Sequence, residues 1–276
     1  MAARLGWFYG GLVAARMIRR QVVHAAEDDR SELADGPMAQ FHRAPLLEAV
    51  RHLRPSLGGR SVLLDVGCGA GNGGATLASG EVRVAGLDRD RDALVRARLR
   101  FDDLALVLGD AHALPLSDCS VDGVLSVSLM QYVDWAGVVG ECHRVLKPGA
   151  PAVFIENLRG NPLVGLYRIA RRLAWAFPAL PVLRRIASDG RPVRHLRWRV
   201  REDFAARFDS VEFSAHHVLT PVVLSDAFVA GSRWSPSRRN RRVFAALSEL
   251  DRRLLRRVPG ARRLAWIVVV KARKGE

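Results

Sequence analysis

A chain of 276 residues and 30.4 kDa suffices for one large domain, or one domain with an appendage, with a core that needs no covalent staples. With 49% apolar and 26% charged residues it is not disordered, collagenous or a coiled-coil array. The net charge of +15 is uneven: residues 1–150 hold 17 basic against 18 acidic side chains, and residues 151–276 hold 26 against 10. An excess confined to the second half suits RNA, an anionic membrane surface or a negatively charged substrate, and equally suits solvated helix faces in an arginine-rich proteome. Cys68, Cys119 and Cys142 form no CxxC pair and have no zinc spacing, so the sequence predicts neither a disulfide framework nor a metal site, and fits a reducing, cytoplasmic setting.

In chain order, Leu5–Ala15 is an apolar run of 11, too short to span a bilayer and followed by Arg16, Arg19 and Arg20 instead of a cleavage site. It reads as part of an N-terminal helical cap over 1–44 that covers a pocket or touches a membrane interface. From Ser61 short apolar runs alternate with amphipathic stretches, the pattern of an α/β parallel sheet. Val62–Val66, Arg83–Asp88, Leu104–Leu108, Val121–Val127 and Ala152–Glu156 read as buried strands. Helices fall near Ala70–Ala78, Arg91–Phe101 and Asp134–Leu146, the last stopped by Lys147-Pro148-Gly149. Val211–Val218 and Leu264–Lys271 are later strands, separated by arginine-rich helical segments over 168–201 and 233–263. The expected organisation is a binding core over 45–157 and, over 158–276, substrate-covering helical insertions plus closing strands of the same sheet.

The strongest motif is Asp65-Val66-Gly67-Cys68-Gly69-Ala70-Gly71, where the first strand turns into a helix. Glycine lets the backbone turn sharply and approach a ligand closely, and the helix N-terminus behind it offers free N–H groups. Gly69, Gly71 and Gly74 also satisfy GxGxxG, the dinucleotide fingerprint, so an NAD-dependent oxidoreductase competes at this point. Asp88 closes the second strand, where a carboxylate can accept from both ribose hydroxyls of an adenosine ligand. Asp110 ends the third strand, where it can accept from an adenine amino group while the Ala111 N–H reaches a ring nitrogen. Any one of these acids is an ordinary turn residue. Three at successive strand ends, on the edge where open sheets bind ligands, point to a nucleoside.

These residues, with Gly86-Leu87-Asp88, Gly109-Asp110-Ala111, Val121-Asp122-Gly123-Val124-Leu125-Ser126, Leu129–Val133 and Glu141–Gly149, resemble the class I S-adenosylmethionine-dependent methyltransferases, in a type-11-like small-molecule branch. The resemblance covers about residues 45–157 and departs at Ala150, where a second glycine usually follows Pro-Gly. It implies a Rossmann-like seven-stranded sheet whose last strand is antiparallel, with helical insertions after strand five and before the final strand. It implies S-adenosylmethionine as cofactor. Asp65 would orient the methionine amino group, with Gly67 and Gly69 along the carboxylate and sugar side and Gly71 among the cofactor-binding residues. Asp88 would hold the ribose with Arg89 nearby, Asp110 and Ala111 the adenine, and Ser126 the methionine portion. Gln131 or Tyr132 would face the transfer site.

A sulfonium methyl group is already activated, so the protein's task is alignment, with a base needed for some acceptors. Tyr132, His195 and His217 are the candidate bases in that order. Glu156 and His216 are further candidates, His112 is placed beside the adenine and His143 is structural. The expected reaction is methylation of a small-molecule acceptor, at oxygen of a hydrophobic or natural-product-like metabolite. The alternatives are an RNA methyltransferase using the basic half, a lipid or quinone methyltransferase at a membrane surface, and a non-catalytic cofactor-binding scaffold.

Overall fold

A strand covered by helices on both faces needs apolar side chains at every position, and that is how the middle of this chain reads. In the computed structural model, which describes residues 37–78, 82–176, 194–223 and 238–276, seven strands form one sheet. They are β1 (Ser61–Val66), β2 (Val82–Asp88), β3 (Leu104–Leu108), β4 (Gly123–Val127), β5 (Pro151–Asn157), β6 (Ser210–His216) and β7 (Ile267–Arg273), in the order β3-β2-β1-β4-β5-β7-β6. The first five are parallel, and β7 lies antiparallel between β5 and β6. All seven residues of β5 are buried.

The helices are α1 (Pro37–Leu53), α2 (Asn72–Ala75), α3 (Arg91–Arg100), α4 (Trp135–Val145), α5 (Pro162–Ala176), α6 (Val200–Ala205) and α7 (Arg238–Arg257). Alternation along the strands divides the core into two layers. Leu63, Leu125, Val153, Ile155, Ile267 and Val269 pack beneath Phe41, Ala49 and Leu53 of α1. Val66, Val124, Phe154, Val268 and Val270 pack against Val138 and Cys142 of α4 and Phe204 of α6. Phe41 meets the rings of His217, Phe244 and Trp266 edge-on at 5.0–5.1 Å, pinning α1 to the later part of the chain.

Local chemistry sets the boundaries. Asp90 caps α3 by accepting from the Asp92 and Ala93 N–H groups at 3.0 and 3.1 Å. After α4, Gly149 adopts φ 71° and Arg144 binds Glu141, Asp118 and the carbonyls of Leu114 and Leu116, fixing the loop after β3 to the helix. Ala150 is accommodated without loss: its N–H donates to the Lys147 carbonyl at 3.1 Å, and β5 starts at the next residue.

Several expected boundaries move. The helix predicted over Ala70–Ala78 shrinks to the single turn of α2, because Gly71, Gly73 and Gly74 weaken a helix interior. The final strand begins at Ile267 instead of Leu264, because Pro259–Leu264 coils into a 3-10 turn. β6 stops at His216, since His217 turns to φ 66°. α1 runs continuously through the expected 44/45 boundary. Leu5–Ala15, like 177–193 and 233–237 of the arginine-rich segments, lies outside the described residues. Among the described residues no helix is long and apolar enough to cross a membrane.

Candidate functional site

The glycine turn is shaped from both sides. Gly67, Gly69 and Gly71 all have positive φ, at 71°, 52° and 82°, where a Cβ is strained. A Cβ on Gly67 would lie 2.7 Å from Leu129 Cδ1, and one on Gly71 2.8 Å from Leu104 Cδ1, so these two are also packing glycines. Gly69 differs: a Cβ there would meet nothing within 4 Å. The turn therefore presents one open backbone face, at Gly69.

Carboxylates brace this turn. Asp65, at the end of β1, is 2% exposed and accepts the Gly74 N–H at 2.7 Å. Burial raises its pKa to about 7; the negative charge of Asp88 adds to the shift, while the Gly74 bond works the other way. That bond places Gly74, the last glycine of the dinucleotide-like spacing, in the packing of α2 against β1. Asp88, at the end of β2, accepts the Gly69 N–H at 2.8 Å through one oxygen and the Asp90 N–H at 2.9 Å through the other. Each oxygen keeps a second lone pair for a ligand hydroxyl. Arg89 beside it is exposed.

At the end of β3 the exposed Asp110 accepts from both the backbone N–H and Nδ1 of His112, each at 2.9 Å. These bonds hold its carboxyl below the ordinary value. Ala111 is buried. His112 thus shares the Asp110 corner.

The ends of β4 and β5 carry a polar cluster. Ser126 is fully buried and its hydroxyl has no protein partner. Glu156 is 1% exposed; its Oε1 accepts the Leu129 and Met130 N–H groups at 3.0 and 3.1 Å, and its Oε2 is buried without a partner. Burial raises its pKa to about 8, against the lowering effect of those two N–H groups. Asn157 donates to Ser128 Oγ and Gln131 Oε1, both at 3.4 Å, while its own Oδ1 is buried and unpartnered. Gln131 donates to the Ser128 carbonyl at 3.2 Å, and His42 Nε2 of α1 stands 3.3 Å from Ser128 Oγ. Ser128 is held at φ 57°, unusual for a side chain with a Cβ.

The three expected bases fall in three environments. Tyr132 is half exposed, one residue beyond Gln131. His195 is partly buried in the stretch where the Arg194 N–H reaches the Gln131 carbonyl at 2.8 Å. His217 is 5% exposed and committed inward: Nε2 donates to the Phe41 carbonyl at 2.8 Å, and Nδ1 lies 2.8 Å from Thr220 Oγ1. Burial and the neighbouring His216 lower its pKa to about 3. Its ring links α1 to the turn after β6. His216 faces Glu48 at 2.9 Å, and His143 packs edge-on against Phe208 at 5.3 Å.

The sequence reading missed His42, Ser128 and the side chain of Asn157 as site residues. No local pattern marks them. His42 lies 86 positions from its partner Ser128, and Asn157 lies 29 positions from it.

A nucleoside ligand suits this edge: an open glycine face, a carboxylate at each of the first three strand ends, and buried oxygens awaiting partners at the next two. Residues 64–154 match the family model described as "Methyltransferase domain". An uncharacterized methyltransferase of Mycobacterium tuberculosis is 31% identical over 186 residues, covering 67% of this chain and 69% of the relative. A probable S-adenosylmethionine-dependent methyltransferase of Mycolicibacterium smegmatis is 40% identical over 92 residues, covering 33% of this chain and 35% of the relative. Among solved structures, geranyl diphosphate C-methyltransferase of Streptomyces coelicolor superposes with a TM-score of 0.54 at 18% identity, covering 85% of this chain and 80% of that one.

The chain belongs to the class I S-adenosylmethionine-dependent methyltransferases. It spans 43% and 35% of the lengths of two curated relatives it matches.

Proposed function

We propose that the protein methylates a small-molecule acceptor, at oxygen, on the edge formed by the ends of β4 and β5. The observation that carries this reading is the set of buried oxygens without protein partners, Ser126 Oγ, Glu156 Oε2 and Asn157 Oδ1. Buried polar groups in native proteins have partners, and molecules bound at this edge would supply them to these three. The cofactor residues are those the motifs suggest. Gly67, Gly69 and Gly71 shape the turn, the Gly69 face receives the amino-acid end, and Ser126 contributes its hydroxyl there. Asp88 holds the ribose hydroxyls with Arg89 at the rim, and Asp110 and Ala111 hold the adenine. Asp65 braces the turn through one oxygen and offers the other to the ammonium group.

Bound S-adenosylmethionine supplies an activated methyl group. This chain's residues bind, orient and manage a proton. Gln131, Ser128, Asn157 and His42 form a hydrogen-bonding wall between α1 and β5 that can fix a hydroxyl or carboxyl oxygen. His42, at 3.3 Å from Ser128 Oγ, is placed to take a proton from a hydroxyl, with Tyr132 and His195 at the outer rim of the wall. His217, with both ring nitrogens engaged, is not assigned this role. The solved relative from Streptomyces coelicolor is named for a carbon acceptor in geranyl diphosphate; a small hydrophobic acceptor agrees with that, whereas a polar wall favours oxygen.

The test is methyl transfer from labelled S-adenosylmethionine to a panel of hydrophobic hydroxyl and carboxyl compounds. A product methylated at oxygen, with turnover lowered in Asn157→Ala and His42→Ala at unchanged cofactor affinity, is the expected result. Transfer only to RNA, or to carbon, contradicts it.

A further inference from the structure

β6 is the outer strand of the sheet, and beside it opens a groove of about 720 Å³. It is lined by Arg197, Trp198 and Arg199 just before α6, by Arg201 of α6, by Phe213 of β6, and by Arg263 from the turn before β7. The four arginines are exposed, and among the described lining residues Glu202 is the sole carboxylate. Among the described residues none of the four guanidiniums has a carboxylate partner. Arg144, by contrast, binds Glu141 and Asp118, and Arg252 and Arg253 bind Glu249.

Arg201 is oriented without a carboxylate. Its guanidinium lies 5.7 Å from the Trp198 ring centre and 5.1 Å from that of Phe213, stacked over both. Stacking fixes the plane of a guanidinium and leaves its N–H edge free to donate. Four cations lining one groove repel one another, and an anion among them removes that repulsion.

We infer that this groove binds a phosphate or diphosphate group of a small molecule. Guanidinium forks match phosphate oxygens in pairs, and the volume lies within the roughly 300–1,000 Å³ of small-ligand sites. Single-stranded nucleic acid fits less well. It needs open aromatic faces for base stacking, whereas Trp198 and Phe213 are half-buried and covered by Arg201. The groove is distinct from the glycine edge, and the inference does not rest on methyl transfer. The two are joined through the stretch before α6: the Leu196 N–H donates to the Asn157 carbonyl at 3.2 Å, and the Arg159 N–H to the Leu196 carbonyl at 2.9 Å.

The experiment is calorimetric titration of the full chain with inorganic pyrophosphate at about 0.15 M salt, where long-range attraction is largely screened. Saturable one-to-one binding is expected. Arg199→Gln/Arg263→Gln should weaken it at least about tenfold. Arg256→Gln/Arg257→Gln, which removes the same charge from α7, should leave it unchanged. S-adenosylhomocysteine affinity, measured in parallel, should be equal in all three proteins and so reports that each is folded. Equal weakening by both double variants, or absence of saturable pyrophosphate binding, overturns the inference. So does binding of an RNA oligonucleotide or of phosphatidylglycerol vesicles that depends on Arg199 and Arg263 and that pyrophosphate does not displace.

Discussion

Asp88 and Gly69 are joined by a hydrogen bond, yet their substitution should read out differently. Asp88→Ala removes the proposed ribose acceptor, and S-adenosylhomocysteine binding should weaken at least tenfold, about 1.4 kcal/mol, by calorimetry. Gly69→Ala adds a Cβ that meets no protein atom within 4 Å, at φ 52°. Its stability cost should be limited to the backbone strain, about 1 kcal/mol, whereas cofactor affinity should fall sharply because the methyl group occupies the ligand's approach. Gly67→Ala reverses the balance, since its Cβ would collide with Leu129 and destabilise the fold itself; thermal melts beside binding isotherms separate the two cases. Glu156 gives a pH prediction. Its folded pKa of about 8 lies above the ordinary carboxyl value, so the folded state holds a proton that the unfolded chain releases. That contribution to stability is complete below the unfolded pKa of roughly 4.3 and is lost as pH rises through about 8. Urea midpoints should therefore decline from pH 5 to pH 9 in the parent protein and decline less in Glu156→Gln; parallel declines would remove Glu156 as the cause.

At the scale of elements, two polar side chains fasten the later part of the chain to the sheet. Asn161, just before α5, donates to the carbonyls of His217, Val218 and Leu264 and accepts the Val164 N–H at 2.9 Å. Asp251 of α7 accepts the N–H groups of Val218, Leu219 and Thr220. Asp251→Ala leaves three N–H groups without their acceptor, two of them in buried bonds. With about 1–3 kcal/mol for each buried group left unsatisfied, it should destabilise the protein by several kcal/mol in chemical denaturation. A loss under 1 kcal/mol would mean that water replaces the carboxylate.

These clamps mark where sequence reading ends. β1, β4 and β5 were legible because a doubly covered strand is apolar over most of its length, with its buried polar residues here at the end that carries the site. The glycine turn was legible because a backbone at positive φ admits few residue types. His42, Ser128 and Asn157 were not, since they meet only through the tertiary packing of α1 on β5. His217 resembled a candidate base because its burial and its bond to the Phe41 carbonyl, 176 positions away, leave no mark in the local sequence.

Across the whole molecule, charge and chemistry lie at different places on one sheet. The balanced first half supplies β1–β4 and the glycine turn, and the basic second half supplies the arginine groove beside β6. Cofactor binding should therefore respond weakly to salt while pyrophosphate binding responds steeply, which paired titrations at low and physiological ionic strength would show. The measurement that tests the central claim most directly is calorimetric titration of the full chain with S-adenosylmethionine, S-adenosylhomocysteine and NAD. Micromolar, one-to-one binding of the first two, lost in Asp88→Ala, with none of NAD, is the predicted result. Preference for NAD, or affinity for the first two that Asp88→Ala leaves unchanged, would contradict the placement of the cofactor on this edge.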